Sequence, residues 1–250
     1  MIDLQILGPL TVTGSDGESL LLRPRQRALL TMFLLRPRKP WARDALAPVL
    51  WAGRPPVRPQ DATKQAVSRL RRTLGRGGIP RATITSAGGG YLADPPAGAL
   101  DLDRYQAALS LARQAHASGD AARAVLLLQQ ALDSWTDPGW EFRDAPDLPA
   151  VQGLIAALDE ERRAAEDQLV DMQLAQGGHA RLLPSLQARS RKVPGDEGAC
   201  ARLMRALLAD GREVEAAGAF HRTAQALSDE LGVRPGPALR DLLSTALRDL

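Results

Sequence analysis

Residues 60–93 decide the fold. They open with Gln60-Asp61-Ala62-Thr63-Lys64-Gln65-Ala66-Val67-Ser68-Arg69-Leu70-Arg71-Arg72-Thr73-Leu74 and break at Gly75-Arg76-Gly77-Gly78. They continue through Ala82-Thr83-Ile84-Thr85-Ser86, a turn at Ala87-Gly88-Gly89-Gly90, and Tyr91-Leu92-Ala93. In the first run Thr63, Val67, Leu70 and Leu74 recur at helical spacing and should face a core. Gln65, Ser68, Arg69, Arg72 and Arg76 fall on the opposite side, flanked by Lys64 and Arg71. A dry seam opposite an Arg-rich face suits a DNA major groove, where Arg reads guanine and Gln reads adenine through paired hydrogen bonds. A solvated basic face is the plainer alternative. The two β-prone runs around the glycine turn predict a hairpin. Its glycines would let the backbone approach a phosphate chain closely, which favours the groove reading. Gly88-Gly89-Gly90 lacks the following Lys-Ser/Thr of a phosphate-binding loop and does not open a helix.

Upstream, Asp3-Leu4-Gln5-Ile6-Leu7 and Leu10-Thr11-Val12 alternate around Gly8-Pro9, and Leu20-Leu21-Leu22 follows the turn residues Gly14-Ser15-Asp16-Gly17. These predict a small antiparallel sheet. Residues 24–35 predict a helix with an apolar stripe at positions 29, 30, 33 and 34, and Pro24 suits its first turn. A second helix is expected over residues 43–51, with Pro48 inside it and a kink possible in its last turn. Residues 52–59 form a proline-rich loop. Sheet, three helices and a hairpin, in that order, make a winged helix-turn-helix.

The chain of 250 residues is long enough for two domains. Residues 1–100 hold 15 Lys and Arg against 6 Asp and Glu, a net of +9; residues 101–250 hold 17 against 23, a net of −6. The basic part is drawn to a polyanion such as DNA. The lone Cys200 excludes a disulfide framework, and His116, His179 and His221 lack the spacing of a histidine zinc site. No metal or cofactor is expected. The apolar run at residues 28–35 is broken by Thr31 and is far short of the roughly 20 residues of a membrane helix. No signal peptide is apparent in residues 1–10. A cytoplasmic, nucleoid-associated protein without membrane contact is the expectation.

Residues 101–250 are helix-patterned. Helices are expected over residues 101–117, 121–135, 148–176, 180–191 and 213–231, with a loop at Asp137-Pro138-Gly139-Trp140. Asp159/Arg163 and Arg162/Glu166 are helix-supporting pairs, not a catalytic pair of carboxylates. Gly178 and Gly211 lie 33 residues apart in similar contexts, each followed by an amphipathic helix, and Gly119 opens a more degenerate unit. Helix pairs with a period of about 34 residues are the tetratricopeptide pattern, which stacks into a solenoid and usually binds protein segments. A bundle that only buries itself is the plainer alternative. His179 and His221 read as polar packing residues.

Several stretches together resemble one family. They are 46–51, Pro55-Pro56, Ala66-Val67-Ser68-Arg69-Leu70-Arg71-Arg72-Thr73-Leu74, Gly90-Tyr91-Leu92, Ala157-Leu158-Asp159-Glu160-Glu161-Arg162, Leu203-Met204-Arg205-Ala206-Leu207 with Gly211-Arg212, and Glu230-Leu231-Gly232-Val233-Arg234-Pro235-Gly236. In this order, over nearly the whole chain, they resemble the Streptomyces antibiotic regulatory protein (SARP) family of transcriptional activators. The resemblance implies a mainly α protein. An OmpR/PhoB-type winged helix-turn-helix would occupy residues 1–95, and an all-α, tetratricopeptide-like bacterial transcriptional activator domain residues 100–250. It implies an activator that binds direct repeats near the promoter −35 region as a pair of protomers, recruits RNA polymerase holoenzyme and controls an antibiotic biosynthetic cluster.

The DNA-binding helix carries over to Thr63, Lys64, Gln65, Ser68, Arg69, Arg71 and Arg72, and the wing to Thr85, Gly89, Gly90 and Tyr91. A polymerase-contacting loop carries over to Gly53, Arg54, Pro55, Pro56 and Arg58. The length implies the short form of the family, without ATPase or sensor modules. Pro48 and the segment Val193-Pro194-Gly195-Asp196-Glu197 depart from the family pattern. Two alternatives remain from the residues alone: a tetratricopeptide-like adaptor with a degenerate winged domain, and a repressor of the same fold. An enzyme is not expected, since the chain shows no nucleophile–base pair, metal cluster or phosphate loop.

Overall fold

The computed structural model describes residues 1–51, 56–136 and 142–248. It divides into two compact units, Met1–Ala165 and Glu166–Leu250. The expected loop at Asp137-Pro138-Gly139-Trp140 lies outside the described residues.

In the first unit, β1 (Asp3–Gln5) and β2 (Thr11–Thr13) pair antiparallel with Leu4 opposite Val12. Both of these are buried, as period-2 alternation requires of the inner face. The expected third strand at residues 20–22 does not form. A single bridge joins Thr13 to Ser19, Leu20 donates its N–H to the Val12 carbonyl, and Leu21 is exposed. Pro24 begins a helix at once, so too few residues remain for a ladder.

Helix α1 (Pro24–Leu35) buries every residue from Leu29 to Leu35, not the expected stripe alone. The reason is its central position, with α2 (Arg43–Trp51) and the wing sheet packed on it. The Trp41 indole N–H donates to the Met32 carbonyl at the end of this helix, 3.0 Å away. Helix α2 is continuous through Pro48. Helix α3 (Pro59–Arg76) begins with proline at its first position and runs two residues beyond Leu74. It stops at Gly77 and Gly78, the latter at φ +70°.

A short 3-10 turn at Arg81–Thr83 leads into the hairpin of β4 (Ile84–Ala87) and β5 (Gly90–Ala93). A third strand, β3 (Trp41–Ala42), pairs with β5, so the wing sheet has the order β3-β5-β4. Gly88 and Gly89, at φ +56° and +77°, make the two-residue turn, which needs φ > 0 at both places. At Gly90 a Cβ would stand 1.9 Å from the Trp41 carbonyl oxygen, so no side chain fits beneath β3.

Helices α4 (Asp101–Ala117), α5 (Ala121–Leu132) and the first part of α6 (Pro149–Ala175) complete this unit. Asp101 is buried and its carboxylate accepts N–H bonds from Ile6 at 2.7 Å, Leu7 at 2.9 Å and Leu102 at 2.7 Å. Burial pushes its carboxyl up to about 6, against the pull of those donors and of Arg104. Arg27 clamps Asp144 through Nε at 2.8 Å and Nη2 at 2.6 Å, which raises its pKa. Tyr105, Trp135 and Phe142 pack edge to face, with the Arg162 guanidinium over Trp135. Arg163 pairs with Glu160 at 3.3 Å.

The second unit holds the end of α6, then α7 (His179–Lys192), α8 (Glu197–Ala209), α9 (Glu213–Leu231) and α10 (Pro237–Arg248). Leu186, Leu203, Met204, Leu207, Phe220 and Leu239 lie in its core. Ala206, Ala216 and Ala219 are fully buried, which lets α8 and α9 approach closely. Arg202 bridges Asp167 and Asp171 across α6 and α8. His221 meets Phe220 edge to face.

The repeat has a clear register. Gly177 and Gly211, 34 residues apart, both take the left-handed conformation, and Gly119 does the same between α4 and α5. In each turn the residue after the glycine donates its N–H five residues back: Asp120 to Ala115, Gly178 to Gln173 and Arg212 to Leu207. That bond satisfies a carbonyl the helix end would otherwise leave open.

Candidate nucleic-acid interface

Helix α3 presents two faces. Thr63, Val67, Leu70 and Leu74 are buried, as their spacing predicts. Lys64, Gln65, Ser68, Arg69, Arg72 and Arg76 are exposed. The Lys64 ammonium lies 3.6 Å from Asp61, a surface pair of small energetic weight.

The structure separates the sequence-predicted contacts into two kinds. Thr63 is in the core and donates its hydroxyl to the Pro59 carbonyl at 2.8 Å, closing the first turn of the helix. Its side chain is not on the exposed face. Arg71 is half-buried; its Nε donates to the Ile84 carbonyl at 2.7 Å and its guanidinium stands 5.7 Å from the centre of the Tyr91 ring. Arg71 therefore ties α3 to both strands of the hairpin. Tyr91 and Gly90 are buried in the wing sheet, Tyr91 opposite Trp41 and Gly90 opposite Ala42. They shape the wing instead of lining its surface. Gly89 is exposed at the tip, beside Gly88, and Thr85 is half-buried on β4.

In the loop before α3, Pro56 is half-buried and Arg58 exposed; Gly53, Arg54 and Pro55 lie outside the described residues. Val57, between them in sequence, is fully exposed.

The sequence reading missed part of this face. A groove of about 810 Å³ runs along α3 against the start of α1. Arg23 and Arg25 stand on its α1 side, Arg69, Arg72 and Arg76 on its α3 side, and no carboxylate is among the described residues that line it. Leu29, Leu50 and Trp51 form apolar parts of the lining. The triplet Arg23-Pro24-Arg25 at a helix start was the available signal, but nothing local says that it faces α3. Gln26 makes the connection: its Oε1 accepts the Arg23 N–H at 3.0 Å and its Nε2 donates to Thr73 Oγ1 at 2.9 Å.

Among the described residues no helix is long and apolar enough to cross a membrane. Residues 17–93 match the family described as "Transcriptional regulatory protein, C terminal", and residues 100–247 match "Bacterial transcriptional activator domain". The chain is 32% identical over 248 residues to the transcriptional regulatory protein EmbR of Mycobacterium tuberculosis, covering 99% of this chain and 63% of that protein. It therefore spans somewhat less than two thirds of that relative. A solved structure of that EmbR in complex with a low-affinity phosphopeptide superposes with a TM-score of 0.88 at 32% identity, over 99% of this chain and 65% of that one. The regulatory protein AfsR of Streptomyces coelicolor is 37% identical over 97% of this chain and 24% of its own length. The transcriptional regulatory protein MoaR1 of Mycobacterium tuberculosis is 31% identical over 100% of this chain and 80% of its own length. These relatives are transcriptional regulators and not enzymes. With an OmpR/PhoB-type winged domain followed by a bacterial transcriptional activator domain, the chain belongs to the SARP family of transcriptional regulators.

Proposed function

We propose that this regulator is a sequence-specific activator that reads duplex DNA with α3 and grips the flanking backbone with the wing. The observation that carries the reading is the two-faced helix. Its large apolar residues Val67, Leu70 and Leu74 are buried, while Gln65, Ser68, Arg69 and Arg72 point outward beside a glycine-tipped hairpin. Arg69 and Arg72 suit guanine O6 and N7, and Gln65 suits adenine. Ser68 supplies a rotating hydroxyl that donates or accepts. Lys64 and the Gly88-Gly89 tip approach phosphates, where charge and the absence of a side chain count more than shape. Arg71 acts one step behind, holding wing and helix at a fixed separation.

Two protomers on direct repeats near the −35 region, recruitment of RNA polymerase holoenzyme through the loop that includes Pro56 and Arg58, and control of an antibiotic cluster complete the proposal. The protein would act in the cytoplasm, on the nucleoid. The acidic helical part would serve protomer pairing and partner contact, its charge keeping it off the DNA.

Selection of preferred duplexes from a random library at physiological salt tests the central statement. An enriched motif, repeated about one helical turn apart, supports it. No enrichment from a folded protein refutes it. Arg72→Ala should weaken the selected site by about 1–3 kcal/mol, roughly 5- to 150-fold, with unchanged thermal stability. Unchanged affinity would remove Arg72 from the base-reading set. In vitro transcription with purified polymerase separates an activator from a repressor of the same fold.

A further inference from the structure

We propose that Arg23 and Arg25, with Arg76, form a second basic wall that holds the sugar–phosphate backbone next to the bases read by α3. This rests on the DNA reading of α3 and extends the contact surface to α1. Both α1 residues are exposed and share one groove with the exposed arginines of α3.

The charge arrangement points to an anion. Among the described residues five guanidinium groups line this groove, and no Asp or Glu does. Other arginines of the same unit are matched: Arg27 with Asp144, Arg38 with Asp94 and Asp103, Arg104 with Asp3. Like charges gathered without counter-charge repel one another in the free protein and are relieved on a polyanion.

The spacing suits a nucleic-acid strand. Arg69, Arg72 and Arg76 follow one ridge about 10 Å long at 1.5 Å per residue. At about 3.4 Å of axis per phosphate on each strand, a backbone running beside that ridge, whose Arg69 and Arg72 reach the bases, offers about three phosphates to Arg23, Arg25 and Arg76. Gln26 ties the first turn of α1 to Thr73, so the second row of charge stands at a set distance from the first. The apolar lining from Leu29, Leu50 and Trp51 supports the arginine stems while their heads stay in water.

The experiment is a salt series. The affinity of the whole chain for a selected duplex, or for a random one if none is enriched, is measured by fluorescence anisotropy between 50 and 200 mM KCl. Wild type, Arg23→Ala/Arg25→Ala, Arg23→Lys/Arg25→Lys and Arg72→Ala are compared, with circular dichroism as the check on folding. Loss of two phosphate contacts should reduce the slope of log K against log salt by about 1.8, so the affinity lost across this range shrinks about twelvefold. The lysine pair should keep the wild-type slope, and the base preference of the alanine pair should be unchanged on reselection. A wild-type slope and affinity in the alanine pair overturn the wall. If polymerase-dependent transcription falls in that same variant, the groove holds an acidic protein segment instead. Failure of the α3 reading is seen separately, as Arg72→Ala keeping full affinity for a selected site.

Discussion

Neutralising Asp101 should reverse part of the pH dependence of stability. This carboxylate is almost wholly buried and is the acceptor for the N–H groups of Ile6, Leu7 and Leu102. Burial raises its carboxyl from 3.8 to about 6, and that outweighs the three donors and Arg104. The folded chain therefore binds this proton more tightly than the unfolded chain does. Its contribution is fully present below pH 4 and is lost as pH rises through 6. At 1.36 kcal/mol for each tenfold change in proton affinity, the loss is about 3 kcal/mol.

Asp101→Asn keeps an acceptor oxygen but cannot titrate. The stability of wild type minus that of the variant should fall by about 3 kcal/mol between about pH 3 and pH 7, then stay level. Urea unfolding followed by tryptophan fluorescence measures it. Trp41, Trp51, Trp135 and Trp140 all precede residue 166, so the signal reports the first unit. Other carboxylates are common to both proteins and cancel in the difference. Asp101→Ala at pH 7 should be less stable than Asp101→Asn, because two buried N–H groups lose their acceptor at about 1–3 kcal/mol each. A flat difference curve, or one that rises with pH, would refute the assignment.

Gly90→Ala should destabilise the winged unit by at least about 2 kcal/mol, since its Cβ would collide with the Trp41 backbone and not with a movable side chain; thermal melting checks it. Arg71→Ala removes a charged bond to the Ile84 carbonyl and a ring contact, and should lower stability by about 2 kcal/mol. Arg71→Lys should recover only part of this, because one ammonium cannot reproduce the planar fork, and urea titration of both separates the cases. Leu203→Ala should cost about 2–5 kcal/mol in the second unit, read by far-ultraviolet circular dichroism while tryptophan fluorescence at low urea stays unchanged.

Much of the architecture was legible because it is written locally. The 3.6-residue period of Thr63, Val67, Leu70 and Leu74 specifies the inner face of α3 without help from any distant residue. The glycines at 88 and 89 specify a hairpin because few other residues take φ > 0 twice in succession. The repeat was visible too, though its register was displaced by one position. Gly177 carries the left-handed turn that matches Gly211, and a doublet of glycines cannot show which of the two does so. The strand expected at residues 20–22 failed for a related reason. Three leucines have β-like composition, but the pairing ends at the Leu20 N–H bond to Val12, because Leu21 faces solvent and Pro24 starts a helix.

The candidate interface was legible only in outline. Gln65, Ser68, Arg69 and Arg72 could be placed on an outer face, because periodicity separates inside from outside. It does not say which polar residues the fold itself uses. Arg71 and Tyr91, 20 positions apart, are joined by the hairpin folding back on α3. Gly90 lies under β3, a strand of two residues that carries no periodic signal.

Sequence by itself determined most of the helices, though it did not delimit those at Glu197–Ala209 and Pro237–Arg248, together with the hairpin, the basic first part, the acidic second part and the order of elements that marks the family. The helices and the hairpin depend on residues a few positions apart, where backbone geometry alone relates them, and the charge of each part is read from composition alone. Tertiary structure alone decided that Asp101 caps Ile6 and Leu7 from 95 and 94 positions away, that Arg71 belongs to the wing, and that Arg23 and Arg25 share a groove with Arg72. Those relations arise only when the chain returns on itself, and burial and hydrogen-bond satisfaction choose among the returns.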